Sequence, residues 1–99
     1  MIIVAGTATL HEERIDEALD RLPDLHAATR AEAGCISYAF YRDVERPQVL
    51  HAFEEWESRA YLDAHLATAH VAEFLAFFSE ALAGPLDFKV YEVAGVAPF

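Results

Sequence analysis

Apolar residues recur along this chain with two different periods. From Ile2 to Thr9 they are dense and often β-branched, which predicts a strand. From Ile15 onward, Ile15, Ala18, Leu19, Leu22, Leu25 and Thr29 recur at steps of three and four, the period of a helix with one buried face. Thr9 and Glu12 have the spacing of a capping box ahead of that helix. Pro23 lies inside it and removes one backbone donor, yet the apolar stripe keeps phase across it; a kinked helix or two collinear helices is expected. Gly34 is a natural stop. Cys35 to Asp43 and Gln48 to Glu55 read as two strands joined through Val44-Glu45-Arg46-Pro47, a hairpin with a four-residue loop. Ser58 can cap a short helix through Leu66. Thr68 can cap a longer one with Val71, Phe74, Leu75, Phe78, Ala81 and Leu82 on its apolar face. Gly84-Pro85 ends it, and Leu86 to Val93 is the last strand. The order βαββααβ predicts an α+β, ferredoxin-like domain over residues 1–99, with an antiparallel sheet and helices on one face.

The strands carry a second message. A sheet wetted on one face alternates apolar and polar residues. Here both parities are apolar: Ile2 and Val4 against Ile3 and Ala5, Ile36, Tyr38 and Phe40 against Cys35, Ala39 and Tyr41, and Leu50, Ala52 and Trp56 against Val49 and Phe53. Helices can cover only one face. A second copy of the same sheet, packed face to face as a homodimer, is the economical cover for the other.

Composition sharpens this picture. Apolar residues make up 55% of 99 residues, and a chain of this length buries only about 60–65% of its unfolded surface, so association offers a way to hide the excess. The net charge of −10 disfavours nucleic acid and anionic membrane as partners, since both are polyanions. Cys35 is the only cysteine, which excludes an intrachain disulfide and a cysteine-based metal site. The start, Met1 to Gly6, lacks a basic segment and a long apolar run, and no stretch approaches the ~20 apolar residues of a membrane span. A soluble cytoplasmic protein is the expectation.

The candidate chemistry gathers at the end of the third strand and the two helices after it. Glu54 shares strand parity with Trp56, Ala52 and Leu50; facing the helices, it becomes an acid in an apolar pocket with a raised pKa, and otherwise a salt-bridged or frayed strand end. His65 suits proton transfer near neutral pH, unless it simply bonds backbone at a helix end. His70 offers the same chemistry. Tyr38 can put its hydroxyl into the pocket or serve as core, and Phe74 and Phe78 can be core, pocket wall or both. Zinc fits poorly: residues five apart lie about 140° apart on one helix, so only a break near Thr68 could join His65 to His70, with Glu54 as third ligand. No metal or other cofactor is expected. His26 reads as a buried, bonded histidine, His51 as facing a partner subunit, and Cys35 as a small apolar residue.

Three segments together, Glu32-x-Gly34-Cys35-x-x-Tyr38, Glu54-x-Trp56-Glu57-Ser58, and His65 with His70 before an apolar helix, resemble the antibiotic biosynthesis monooxygenase (ABM) family. The resemblance covers nearly the whole chain. It implies a homodimeric α+β barrel with one pocket per subunit, and cofactor-free oxygenation of a small planar phenol, quinol or anthrone by molecular oxygen. His65 and Glu54 would then be catalytic, and Trp56, Tyr38, His70, Phe74 and Phe78 would bind substrate. A haem-degrading branch of the fold uses a histidine, a tryptophan and an asparagine. Leu75 and His65 stand at the first two positions here and the chain has no asparagine, so haem degradation is not expected. The fold also hosts isomerases of small polar signals, which clustering of Arg30, Arg42 and Arg59 in the pocket would favour, and non-catalytic ligand-binding or stress proteins.

Overall fold

The computed structural model describes residues 1–99. Strand β1 (Ile2–Thr9) leads through one 3₁₀ turn (Glu12–Arg14) into helix α1 (Ile15–Arg30), then β2 (Cys35–Arg42), β3 (Val49–Trp56), α2 (Arg59–Leu66), α3 (Ala69–Ala81) and β4 (Asp87–Glu92). All strand pairs are antiparallel, in the spatial order β2-β3-β1-β4. The helices cover one face. Their apolar stripes close on Ile2, Val4, Ala8, Tyr38, Phe40, Leu50, Ala52 and Trp56 to form a single core.

The element order matches the reading of the sequence, and the boundaries show where local signals yielded to packing. Thr9 does not cap α1. It ends β1, and its carbonyl accepts from Ala83 N–H at 2.8 Å, which ties the chain after α3 to the sheet. The 3₁₀ turn fills the gap, and no side chain caps it or α1. Pro23 lies within one unbroken helix; Ile15, Ala18, Leu22, Leu25 and Thr29 are all buried along it. Ser58 stands at the N-cap of α2 but makes no side-chain cap bond. Thr68 does cap α3, its Oγ1 accepting from Val71 N–H at 3.4 Å.

The parity assigned to β2 needs one correction. Between Cys35 and Ser37 the register with β3 shifts by one residue. Cys35 therefore faces the core side with Tyr38 and Phe40, whereas Ile36 turns outward and is 51% exposed. An extra residue in one strand reverses the alternation on one side of it.

The hairpin between β2 and β3 is shaped by Asp43. Its Oδ1 accepts from the backbone N–H groups of Glu45 and Arg46 at 2.8 and 2.9 Å, and His51 Nε2 bonds its other oxygen at 2.7 Å. That side-chain bond, then the two backbone bonds, hold the Asp43 carboxyl well below the usual range. At the other side of the sheet, β4 passes so close to β1 that a Cβ on Gly6 would sit 2.0 Å from Asp87 O; only glycine permits that approach.

Candidate active site

Three local devices aim side chains at one spot between sheet and helices. The first is the turn after α1. Glu32 N–H bonds Thr29 O at 3.0 Å, and Gly34 follows at φ +80°, a left-handed conformation open to glycine at little cost. Tyr61 packs where a Gly34 Cβ would be, and Glu57 N–H bonds Gly34 O at 2.9 Å, tying the turn to the end of β3. The second device is β3, whose alternation turns Glu54 and Trp56 inward. The third is the break between α2 and α3. Thr68 donates to His65 O through Oγ1 at 2.7 Å and through its backbone N–H at 3.1 Å. The chain thereby restarts as α3 with His70 beside His65, ring centroids 6.1 Å apart.

The result is a continuous polar cluster. His65 is 3% exposed. Its Nδ1 lies 2.8 Å from Glu32 Oε2, and His70 Nε2 lies 2.8 Å from the same oxygen. On the other side, His65 Nε2 is 4.0 Å from Glu54 Oε1, which accepts from Trp56 Nε1–H at 3.0 Å. No lysine or arginine pairs with Glu32 or Glu54; imidazoles are their only basic partners. Burial pushes the Glu54 carboxyl up, against the opposing effects of the Trp56 hydrogen bond and the His65 charge. Burial, and then the Glu54 charge, likewise drives the Tyr38 phenol above its ordinary range, so Tyr38 stays a hydroxyl donor.

A cavity of about 260 Å³ opens beside this cluster. Tyr38, Glu54 and His65 supply its polar groups together with the exposed Arg59; Phe40, Phe74, Phe78, Phe88 and aliphatic side chains supply the rest. Of the residues expected at a substrate, Glu54, His65, Tyr38, Phe74 and Phe78 line it. Trp56 does not. It is 0% exposed behind the wall, and its ring packs on His65 at 4.7 Å rather than on open space. His70 does not line it either, and borders a separate surface hollow with Arg21, Asp24 and Glu73. Arg30 and Arg42 are also elsewhere, their Nε groups donating to the Tyr38 and Pro47 carbonyls.

The sequence reading includes Glu32 within the Glu32-x-Gly34-Cys35-x-x-Tyr38 segment but gives it no role in the site. No role could be read for it locally, because the contact with His65 spans 33 positions of chain. Glu32, His65 and His70 present donor atoms that all lie within 4.8 Å of one another, a set chemically able to hold a divalent metal. Both nitrogens lie 2.8 Å from one Glu32 oxygen, which is also hydrogen-bond distance.

The sequence profile of the antibiotic biosynthesis monooxygenase family matches residues 1–76, and the chain belongs to that family. Among its relatives is a Synechocystis protein, sll1783, described only as uncharacterised, 34% identical over 94% of this chain. The chain spans 63% of that relative's length. A Bacillus subtilis protein, YcnE, named provisionally as a monooxygenase, is 30% identical, the match covering 88% of this chain and 92% of YcnE. In three dimensions the chain superposes on Rv0793 of Mycobacterium tuberculosis with a TM-score of 0.89 at 27% identity, over 98% of both chains. No helix is long and apolar enough to cross a membrane.

Proposed function

We propose that this protein is a cofactor-independent monooxygenase that oxidises a small, planar phenol, quinol or anthrone with molecular oxygen. The observation that carries the reading is the cavity: an apolar space of about 260 Å³ whose acid–base groups are a buried imidazole and a buried carboxyl. Such a space suits a small aromatic ring system. His65 Nε2 takes the substrate's acidic proton, with Glu54 beside it to share that proton, and Tyr38 donates to the developing oxyanion. The substrate anion passes one electron to oxygen. The two radicals then combine at carbon, and loss of water leaves a carbonyl, with one oxygen atom in the product and one in the water. The protein's own contribution is a dry pocket that favours deprotonation.

The test is oxygen uptake with a panel of quinols and anthrones, with and without chelator. His65→Ala should lower the rate by roughly 10- to 1000-fold, the scale of a lost acid–base group. Activity abolished by chelator and restored by zinc or iron would refute the mechanism. Full activity in both His65→Ala and Glu54→Gln would refute the site assignment. The competing reading, an isomerase of a phosphorylated signal, lacks the cluster of arginines it requires: of Arg30, Arg42 and Arg59, only Arg59 lines the cavity. Leu75 also lines it where a haem-binding histidine would stand, which supports the absence of haem degradation.

The working unit we propose is a homodimer through the outer sheet face. Phe53, 42% exposed, and Tyr41, 60% exposed, lie on that face with Ile36 and Tyr91. This is a large apolar surface for a small domain to leave in water.

A further inference from the structure

We propose that Glu32 and His70 are positioning residues for His65: Glu32 accepts the His65 Nδ1–H, so that Nε2 keeps its lone pair for the cavity, and His70 holds the Glu32 carboxylate in place. The inference rests on the reading of His65 as the base and adds what makes it one. A neutral imidazole has one N–H and one lone pair, and the hydrogen bond at one nitrogen decides which nitrogen can act.

His65 sits between two carboxyl groups that treat its nitrogens differently. Glu32 Oε2 is at hydrogen-bond distance from Nδ1, 2.8 Å, whereas Glu54 Oε1 is 4.0 Å from Nε2. Glu54 Oε1, the oxygen nearest Nε2, is already engaged by Trp56 Nε1–H. The Nδ1–H form is therefore the favoured one, with Nε2 left on the side of Glu54, which itself lines the cavity. The ring is held there by Trp56 at 4.7 Å and Tyr38 at 5.3 Å between centroids, and its backbone by the two bonds from Thr68. When Nε2 takes a proton, the imidazolium that forms has Glu32 2.8 Å from Nδ1. This is the division of labour in which a carboxylate orients a histidine base and stabilises its charged form. His70 supplies the second donor to Glu32 Oε2, reaching in from the neighbouring hollow.

The decisive measurement is the His65 tautomer, read by long-range proton–nitrogen NMR on protein carrying ¹⁵N-labelled histidine. At a pH where His65 is neutral, the wild type should show Nδ1–H. Glu32→Leu, which removes the acceptor, should shift His65 toward Nε2–H. A wild type in the Nε2–H form overturns the proposal without any variant, and an unchanged tautomer in a folded Glu32→Leu protein does so too. The kinetic arm uses oxygen uptake with anthrone. Glu32→Gln should lower kcat by about 100- to 10,000-fold, the scale seen when a histidine base loses its orienting carboxylate, with KM changed little. His70→Ala should lose part of the rate, and His70→Gln, whose amide N–H can replace the donor, should recover most of it. Equal, wild-type rates in both His70 variants would remove His70 from the proposal. If the wild type consumes no substrate of the panel, the oxygenase reading fails, while the tautomer still decides the positioning role.

Discussion

Glu54 is a carboxyl group placed where a carboxyl group is expensive. Its proton is held more tightly in the folded chain than in the unfolded one, because burial disfavours the charge. The sign follows from linkage. A carboxyl with a raised native pKa lets the native state bind more protons across the window between its unfolded and folded values. Stability is therefore highest below the unfolded value, falls as pH rises through that window, and stays reduced above it. Glu54→Gln keeps an acceptor for Trp56 Nε1–H and removes the charge. Thermal unfolding should show the variant more stable than wild type at pH 7, with the difference shrinking toward pH 4. A variant less stable at pH 7 would contradict this account. More stability with less oxygen uptake is the expected pair of outcomes, since functional groups are commonly kept at a cost in stability. His26 presents a related case with opposite chemistry. Its Nε2 accepts from Phe40 N–H at 3.0 Å, and burial, with the Arg30 charge, pushes its pKa down. Protonation would end that bond, so this contribution is present at neutral pH and lost as pH falls below the ordinary histidine range.

At the scale of elements, the site depends on two short interruptions: the turn after α1 and the break between α2 and α3. Gly34→Ala tests the first. The new Cβ would meet the Tyr61 ring at 2.1 Å from a left-handed backbone. The variant should lose more than about 1 kcal/mol in denaturant unfolding, and displacement of Glu32 should lower the oxygenase rate as well. An unchanged unfolding midpoint would show that the turn relaxes freely. These interruptions also explain what could be read in advance. The helical stripes and dense apolar strands were legible because each signal repeats within a few residues. The break at Thr68 was legible from its cap. The bulge at Ile36 was not, because it is defined only against the partner strand β3. Glu32 was quoted in a family-like segment but given no role, for the same reason: nothing within its own segment shows that a turn 33 residues from His65 will deliver a carboxylate to it. Trp56 was placed on the correct strand face, but strand parity does not distinguish a cavity wall from the layer behind it.

For the whole molecule, the exposed sheet face is the feature on which the proposed dimer rests. Size measurement at micromolar concentration should give twice the 11.0 kDa of one chain. Phe53→Glu should yield monomers, because a charge in an apolar interface is left uncompensated. A monomeric wild type would sink the dimer. The layer behind the cavity has a different use. Trp56 is the only tryptophan, fully buried, with its indole against the one imidazole on which the proposed chemistry turns. Every photon of tryptophan fluorescence from this protein thus originates beside His65. A buried indole emits toward the blue, and a neighbouring imidazolium quenches it by accepting an electron from the excited ring. The chain therefore carries a built-in optical probe beside its proposed base, one that needs no label, no substrate and no assay of turnover.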